Sequence, residues 1–144
     1  MPLAIAMGAS LFYDIGIGTG FYSRQMLSSV PGLRGVGYDI SPHSIAFAQA
    51  PHLGLGPRPR DARFAGRMIV AMPVDTPAPC VISVEVLEHL EDPLTFLKAL
   101  AGMLSAGGVG FITAALTAPN ADHIYLYSDV SEVISQLDEA GLRT

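Results

Sequence analysis

The stretch FYDIGIGTGFYSR, from Phe12 to Arg24, sets Gly16, Gly18 and Gly20 at alternate positions behind Asp14. Glycines so spaced let a ligand approach the main chain, and a helix starting at that turn aims free N–H groups at it. Two ligand classes compete for such a cradle. A dinucleotide asks for G-x-G-x-x-G, whose third glycine eases helix packing. Phe21 stands where that glycine belongs, and the Asp14 carboxylate would repel a pyrophosphate. A ligand carrying both an ammonium and a carboxylate reverses the argument, because Asp14 attracts the first while the turn amides receive the second. An amino acid joined to a nucleoside has both groups. Asp39, closing GVGYDIS, is placed to accept two ribose hydroxyls, and Ile40 beside it to pack on the base.

The elements that position these residues alternate. SLFYDIG is a short strand closed by glycine, and GFYSRQMLSSV a helix ending at Pro31-Gly32. RGVGYDIS is a second strand, after which Ser41 supplies an N-cap and Pro42 a first helical residue for PHSIAFAQA. ARFAGRMIV is a weaker third strand and CVISVEV a β-branched buried fourth. In DPLTFLKALAGML, with Leu90 ahead of it, leucines at 90, 94, 97, 100 and 104 recur at helical spacing; Gly107-Gly108 is expected to end that helix. VGFITAAL is a fifth strand. DVSEVISQLDEAGL is a last helix, with Asp129 and Glu132 as a capping box and Val130, Val133, Ile134 and Leu137 on one face. Strands alternating with helices predict an α/β fold: a doubly wound, mostly parallel Rossmann-like sheet with helices on both faces, as one domain over residues 1–144.

Composition agrees. Of 144 residues 50% are hydrophobic and 15% charged, so the chain can bury a core. The net charge of −5 and the scattered basic residues argue against a nucleic-acid groove. The one cysteine, Cys80, excludes an intramolecular disulfide and fits a reducing compartment. The N-terminus lacks a basic leader, and no apolar run approaches the ~18 residues of a spanning helix. The expectation is a cytoplasmic protein with no membrane partner. His43 and His52 read as surface residues, and PHLGLGPRPRDAR (Pro51–Arg63) as a mobile connector.

DIGIGTG, GYDIS, VEVLEHLEDP and LSAGGVGFIT together resemble the successive motifs of class I S-adenosylmethionine-dependent methyltransferases, nearest the small-molecule group typified by ubiquinone-biosynthesis O-methyltransferases. The resemblance runs from about Leu11 to Leu142. It implies that Asp14, Gly16, Gly18 and Gly20 hold the methionine part of S-adenosyl-L-methionine, that Asp39 holds the ribose, and that Glu85 faces cofactor or substrate. Two departures stand out. The acidic residue that the family places after the third strand is replaced by Arg67 and Met68. The family's helical segment before the first strand and two strands after the last helix have no counterpart, as though the chain were truncated at both ends.

The implied reaction is methyl transfer to a hydroxyl or amine of a small-molecule acceptor, plausible in specialised biosynthesis. The acceptor must be held about 3–3.5 Å from the methyl group, and a proton must be removed from it by a base or with the help of a metal. The candidates are Glu85, Glu88, His89, Asp122 and His123, with His89, His123 and Glu85 first among them. The E-x-x-E-H spacing of EVLEH resembles the metal motif of some O-methyltransferases, including the small-RNA 2′-O-methyltransferases, in which a further histidine arrives from beyond the fifth strand. By that resemblance Glu85, Glu88, His89 and His123 would hold Mg²⁺, Mn²⁺ or Zn²⁺. The bland alternative makes Glu88 and His89 a cap at the start of a helix, and TAPNADHIYLYS a loop whose tyrosines pack on the last helix. Rival functions are a catalytically inactive cofactor-binding module and a nicotinamide-dependent oxidoreductase, the latter disfavoured by Phe21 and Asp14.

Overall fold

A computed structural model describes residues 8–50, 62–66 and 76–144, with the main chain alone for 63–66. Most of the expected connector and both Arg67 and Met68 lie outside the described residues, as does His52. Five strands form one sheet: β1 (Leu11–Ile15), β2 (Arg34–Asp39), β3 (Ala62–Gly66), β4 (Ala78–Ser83) and β5 (Leu104–Ile112), in the order β3-β2-β1-β4-β5. Every adjacent pair is parallel. The helices are α1 (Phe21–Ser29), α2 (Pro42–Gln49), α3 (Pro93–Met103) and α4 (Val130–Glu139), with a 3-10 turn over Leu87–His89. Among the described residues no helix is long and apolar enough to cross a membrane.

The two central strands carry side chains to both faces, as a buried parallel sheet requires. On one face Phe12 of β1 and Cys80 and Ile82 of β4 meet Met26 of α1 and Leu33. Ile17, Ala48 and Ala62 extend that layer toward α2. On the other face Tyr13 and Ile15 of β1 and Val81 of β4 pack with Leu97, Leu100 and Met103 of α3, with Tyr127, and with Val133 and Leu137 of α4. Helices therefore cover both faces, and the doubly wound α/β expectation holds. Ser41 caps α2 through a bond from the Ser44 amide at 3.3 Å, with Pro42 in the first turn, as read from the sequence. Buried Arg24 of α1 donates to the Ala48 and Ala50 carbonyls at 2.8 and 2.7 Å, a cation against the carbonyl end of α2.

Three local readings are corrected. The helix before β5 stops at Met103, not at Gly107-Gly108, because Leu104 already pairs with Ala78; the glycine pair lies where the β4–β5 register jumps from Ala78–Leu104 to Cys80–Val109. β4 begins at Ala78 and ends at Ser83, leaving Val84–Val86 in a loop, since Glu85 adopts φ 53° and cannot continue a strand. The capping box on α4 is displaced by one residue. Asp129 accepts from the Ser131 and Glu132 amides, but Glu132 accepts from Ser128 rather than from Asp129. On that helix Val133 and Leu137 pack inward, whereas Val130 and Ile134 are exposed.

Leu100 is fully buried at the centre of the α3 layer, so Leu100→Ala should remove about 2–5 kcal/mol of stability. Urea unfolding is expected to show a lower midpoint at unchanged slope. Val130→Ala, at an exposed position, should stay within about 0.5 kcal/mol of the parent.

Candidate functional site

In the order β3-β2-β1-β4-β5 the direction of winding reverses between β1 and β4, and open α/β sheets bind ligands in the crevice outside that point. The turn after β1 and the loop after β4 meet there. Gly16 has φ 75°, and a Cβ on it would collide with Cγ2 of Val86. Gly18 has φ 52°, and a Cβ on it would meet nothing within 4 Å. One glycine is thus needed for the fold of the crevice, and the other leaves open the space above the turn.

The turn is held from β2. The Gly16 and Ile17 amides donate to the Tyr38 carbonyl at 2.8 and 3.0 Å. The Gly18 amide donates to Oδ2 of Asp39 at 2.9 Å, and the Ser41 amide to Oδ1 at 2.8 Å. Asp39 therefore braces the cradle with both oxygens, and a ribose hydroxyl would use their remaining acceptor capacity. Ile40 next to it is 71% exposed, available to a flat base.

Asp14 lies beneath the turn and is nearly fully buried. Its Oδ2 accepts from the Ser23 hydroxyl at 2.6 Å. Burial pushes its carboxyl up to about 6, the Ser23 bonds pull the other way, and the Asp39 charge adds to the rise. A cation arriving above the turn would favour the ionised form, so the site holds a carboxylate that gains from a positive ligand.

The second group of candidates sits on the β4 loop and the segment after β5. Glu88, His89 and His123 present ligand atoms within 4.8 Å of one another. Glu85 is not in that set: it is exposed, and its Oε1 accepts from the Thr113 hydroxyl at 2.6 Å. Glu88 is 1% exposed, and its Oε2 has no hydrogen-bond partner. Nδ1 of His89 is 2.8 Å from the Asp122 carbonyl and Nδ1 of His123 is 2.6 Å from the Ala118 carbonyl. A carbonyl only accepts, so each Nδ1 carries a proton, and the nitrogen left to act as a ligand or base on each ring is Nε2. The rings stand edge to face with centroids 5.1 Å apart. Asp122 also places Oδ2 3.8 Å from Nδ1 of His89. His43 is exposed on α2, away from this cluster in sequence and in the fold.

Glu88 and His89 do not cap a helix. That role belongs to Asp92, which accepts from the Thr95 amide at 3.0 Å. The segment bearing His123 is tied down: the Ile124 and Tyr125 amides both donate to the Glu88 carbonyl at 2.8 and 3.0 Å, and Thr117 N–H donates to the Tyr127 carbonyl. Its tyrosines pack on the last helix, Tyr125 donating to Glu132 and Tyr127 to Gln136. Both phenols are pushed up, Tyr125 chiefly by its bond to Glu132 and Tyr127 chiefly by burial, so neither is suited to take a proton at neutral pH. Sequence reasoning missed Ser23 and Thr113, whose hydroxyls hold Asp14 and Glu85; nothing in their spacing distinguishes them from other hydroxyl residues.

The Asp14 carboxyl gives a pH signature. Its folded value lies above its ordinary 3.8, so between about 4 and about 6 the folded chain binds a proton that the unfolded chain does not. Stability from this group is therefore greatest at the acid end of that window and is lost as pH rises through about 6. Asp14→Asn should be more stable than the parent above that window by on the order of 2–3 kcal/mol, with the difference closing near pH 4. Thermal melts of both proteins without ligand, at about pH 4 and about pH 7.5, check this; equal melting at about pH 7.5 would overturn it.

Known proteins share the sequence pattern and the fold of this chain. The family model described as a methyltransferase domain matches residues 13–110. A ubiquinone biosynthesis O-methyltransferase from Parvibaculum lavamentivorans is 37% identical over 103 residues, spanning 70% of this chain and 38% of the relative. The chain thus spans well under half the length of that relative. Among solved structures, a mitomycin 7-O-methyltransferase superposes with a TM-score of 0.78 at 21% identity, covering 94% of this chain and 44% of the other. The human N-acetylserotonin methyltransferase, solved with S-adenosylmethionine, gives 0.72 at 18% identity, covering 92% and 42%. With a family match across the cradle, β4 and the Glu88–His89 turn, the chain belongs to the class I S-adenosylmethionine-dependent methyltransferases.

Proposed function

We propose that this chain carries out methyl transfer from S-adenosyl-L-methionine to a hydroxyl of a small-molecule acceptor, with a divalent cation held by Glu88, His89 and His123. The observation that carries this is the grouping of Glu88, His89 and His123, whose ligand atoms lie within 4.8 Å of one another, where Glu88 is buried with an unpartnered oxygen. A buried carboxylate is costly without a compensating charge, and imidazoles fixed through Nδ1 to carbonyls have the tautomer of metal ligands. The O-methyltransferases among the relatives favour a hydroxyl acceptor over an amine.

The cofactor supplies the electrophilic methyl group, and the protein orients and excludes water. Gly18 keeps the space above the turn clear for the methionine part, Gly16 and Gly20 let the turn pack against Val86 and Ala48, Asp14 supplies negative charge toward its ammonium, and Asp39 and Ile40 receive the ribose and base. The residues of the second cluster fit a cation as described, and a bound divalent ion there would lower the pKa of an acceptor hydroxyl. Two imidazoles and one carboxylate suit Zn²⁺ or Mn²⁺ better than Mg²⁺, which prefers oxygen ligands. Glu85 stands outside this ligand set as a carboxylate facing cofactor or acceptor. The same histidines support a second reading, in which Nε2 of His89 or His123 takes the acceptor proton directly.

Formation of S-adenosylhomocysteine with a panel of hydroxyl- and amine-bearing small molecules tests the activity. With EDTA in excess, turnover should fall and return on adding back Mn²⁺ or Zn²⁺. Full turnover in EDTA, with no bound metal by elemental analysis, would leave only the direct-base reading. His123→Ala should lower turnover by about 10²-fold or more if His123 holds the metal or is itself the base, and should release metal only under the first reading. Gly18→Val puts a branched side chain into the open space above the turn, at a φ of 52° that valine rarely adopts; it should weaken S-adenosylmethionine binding by at least about tenfold in calorimetry, read on protein that a thermal melt shows to be folded. Unchanged affinity there would place the cofactor elsewhere.

A further inference from the structure

Thr113 is the first residue beyond β5, and its amide donates to the Ser83 carbonyl at 3.0 Å, so the sheet itself fixes its position. From there a single hydroxyl makes two bonds to one residue. It accepts from the Glu85 amide at 3.0 Å and donates to Oε1 of Glu85 at 2.6 Å. Glu85 and Thr117 are the non-glycine residues with positive φ among the described residues, Glu85 at 53°. L-residues rarely adopt that conformation, and it persists where the surroundings over-determine it. The residue after it, Val86, occupies the space against Gly16, and Glu88 and His89 follow on the same turn.

We propose that Thr113 is a positioning residue of this site. Its hydroxyl holds Glu85 in the left-handed conformation, and thereby seats Val86 against Gly16 and sets the Glu85 carboxylate at the rim of the cofactor cradle. Only a group that both accepts and donates can serve a main-chain N–H and a carboxylate at once. Serine has such a group, and valine, of nearly the same shape as threonine, has none. The proposal rests on the cradle being the S-adenosylmethionine site.

The test is calorimetric titration of S-adenosylmethionine into the full chain as wild type, Thr113→Ser, Thr113→Val, Glu85→Gly and the Thr113→Val/Glu85→Gly pair, with a thermal melt of each. Thr113→Val is expected to bind about tenfold more weakly, the size expected for a lost bond to a charged group, while Thr113→Ser stays within about twofold of wild type. Glycine adopts φ 53° without help and has no carboxylate, so adding Thr113→Val to Glu85→Gly should change affinity by less than about twofold. Thr113→Ala replaces the valine variant if the latter does not fold. Wild-type affinity in a folded Thr113→Val, equal weakness in Thr113→Ser and Thr113→Val, or full additivity of the two substitutions would each overturn the proposal. A folded wild type that gives no binding would overturn the cradle reading and this proposal with it, a result distinct from failure of Thr113 alone, in which the wild type binds.

Discussion

Val86 fills the space that a side chain on Gly16 would need. That contact joins the loop after β1 to the loop after β4 at the point where the sheet changes its direction of winding. Both halves of the site depend on it. With any larger residue at 16, the Val86 side chain would have to give way, disturbing the loop that carries Glu85, Glu88 and His89. The constraint is short-ranged repulsion, which is why it tolerates so little variation: core packing leaves no slack of a methyl group. The parallel pairing of β1 with β4, from Phe12–Cys80 to Asp14–Ile82, fixes the height at which the two loops meet.

Around that contact, charge and hydrogen bonding are distributed so that each side of the crevice is braced by its neighbour. β2 holds the glycine turn through the Tyr38 carbonyl and both oxygens of Asp39. α1 holds Asp14 through Ser23. The carbonyl of Glu88 takes two amides from the segment that carries His123, so the two halves of the second cluster are tied through main chain before any side-chain ligand is considered. Among the described residues Asp14 and Glu88 are the buried carboxylates, and neither forms an ion pair there. Each carries a desolvation penalty that a positive ligand would offset: the ammonium of a cofactor in one case and a cation in the other. Such groups weaken the ligand-free fold, and their presence at a crevice fits a site organised for binding rather than for stability.

Much of this was legible in the sequence. Strand–helix alternation, the glycine spacing and the Ser41-Pro42 helix start depend on local rules, namely side-chain periodicity, backbone sterics and capping, and these act over a few residues. Asp14, the three glycines and Asp39 could be assigned to one cradle because their positions at successive strand ends follow from the winding of a parallel sheet. For the same reason EVLEH and the histidine of PNADH could be expected at the same end of the sheet.

What only the tertiary structure decided are the features set by contacts distant in sequence. That α3 stops at Met103 rather than at the glycine pair follows from Leu104 pairing with Ala78 across the sheet. That Glu85 leaves the ligand set, while Glu88, His89 and His123 stay together, follows from Thr113, 28 residues away, capturing its carboxylate. The tautomers of the two histidines depend on the Asp122 and Ala118 carbonyls, and the burial of Glu88 on the core beneath it. A motif specifies which chemical groups are available, since that is a property of residue type. Their direction, protonation and solvation depend on neighbours that chain folding brings from elsewhere, and no local spacing encodes them.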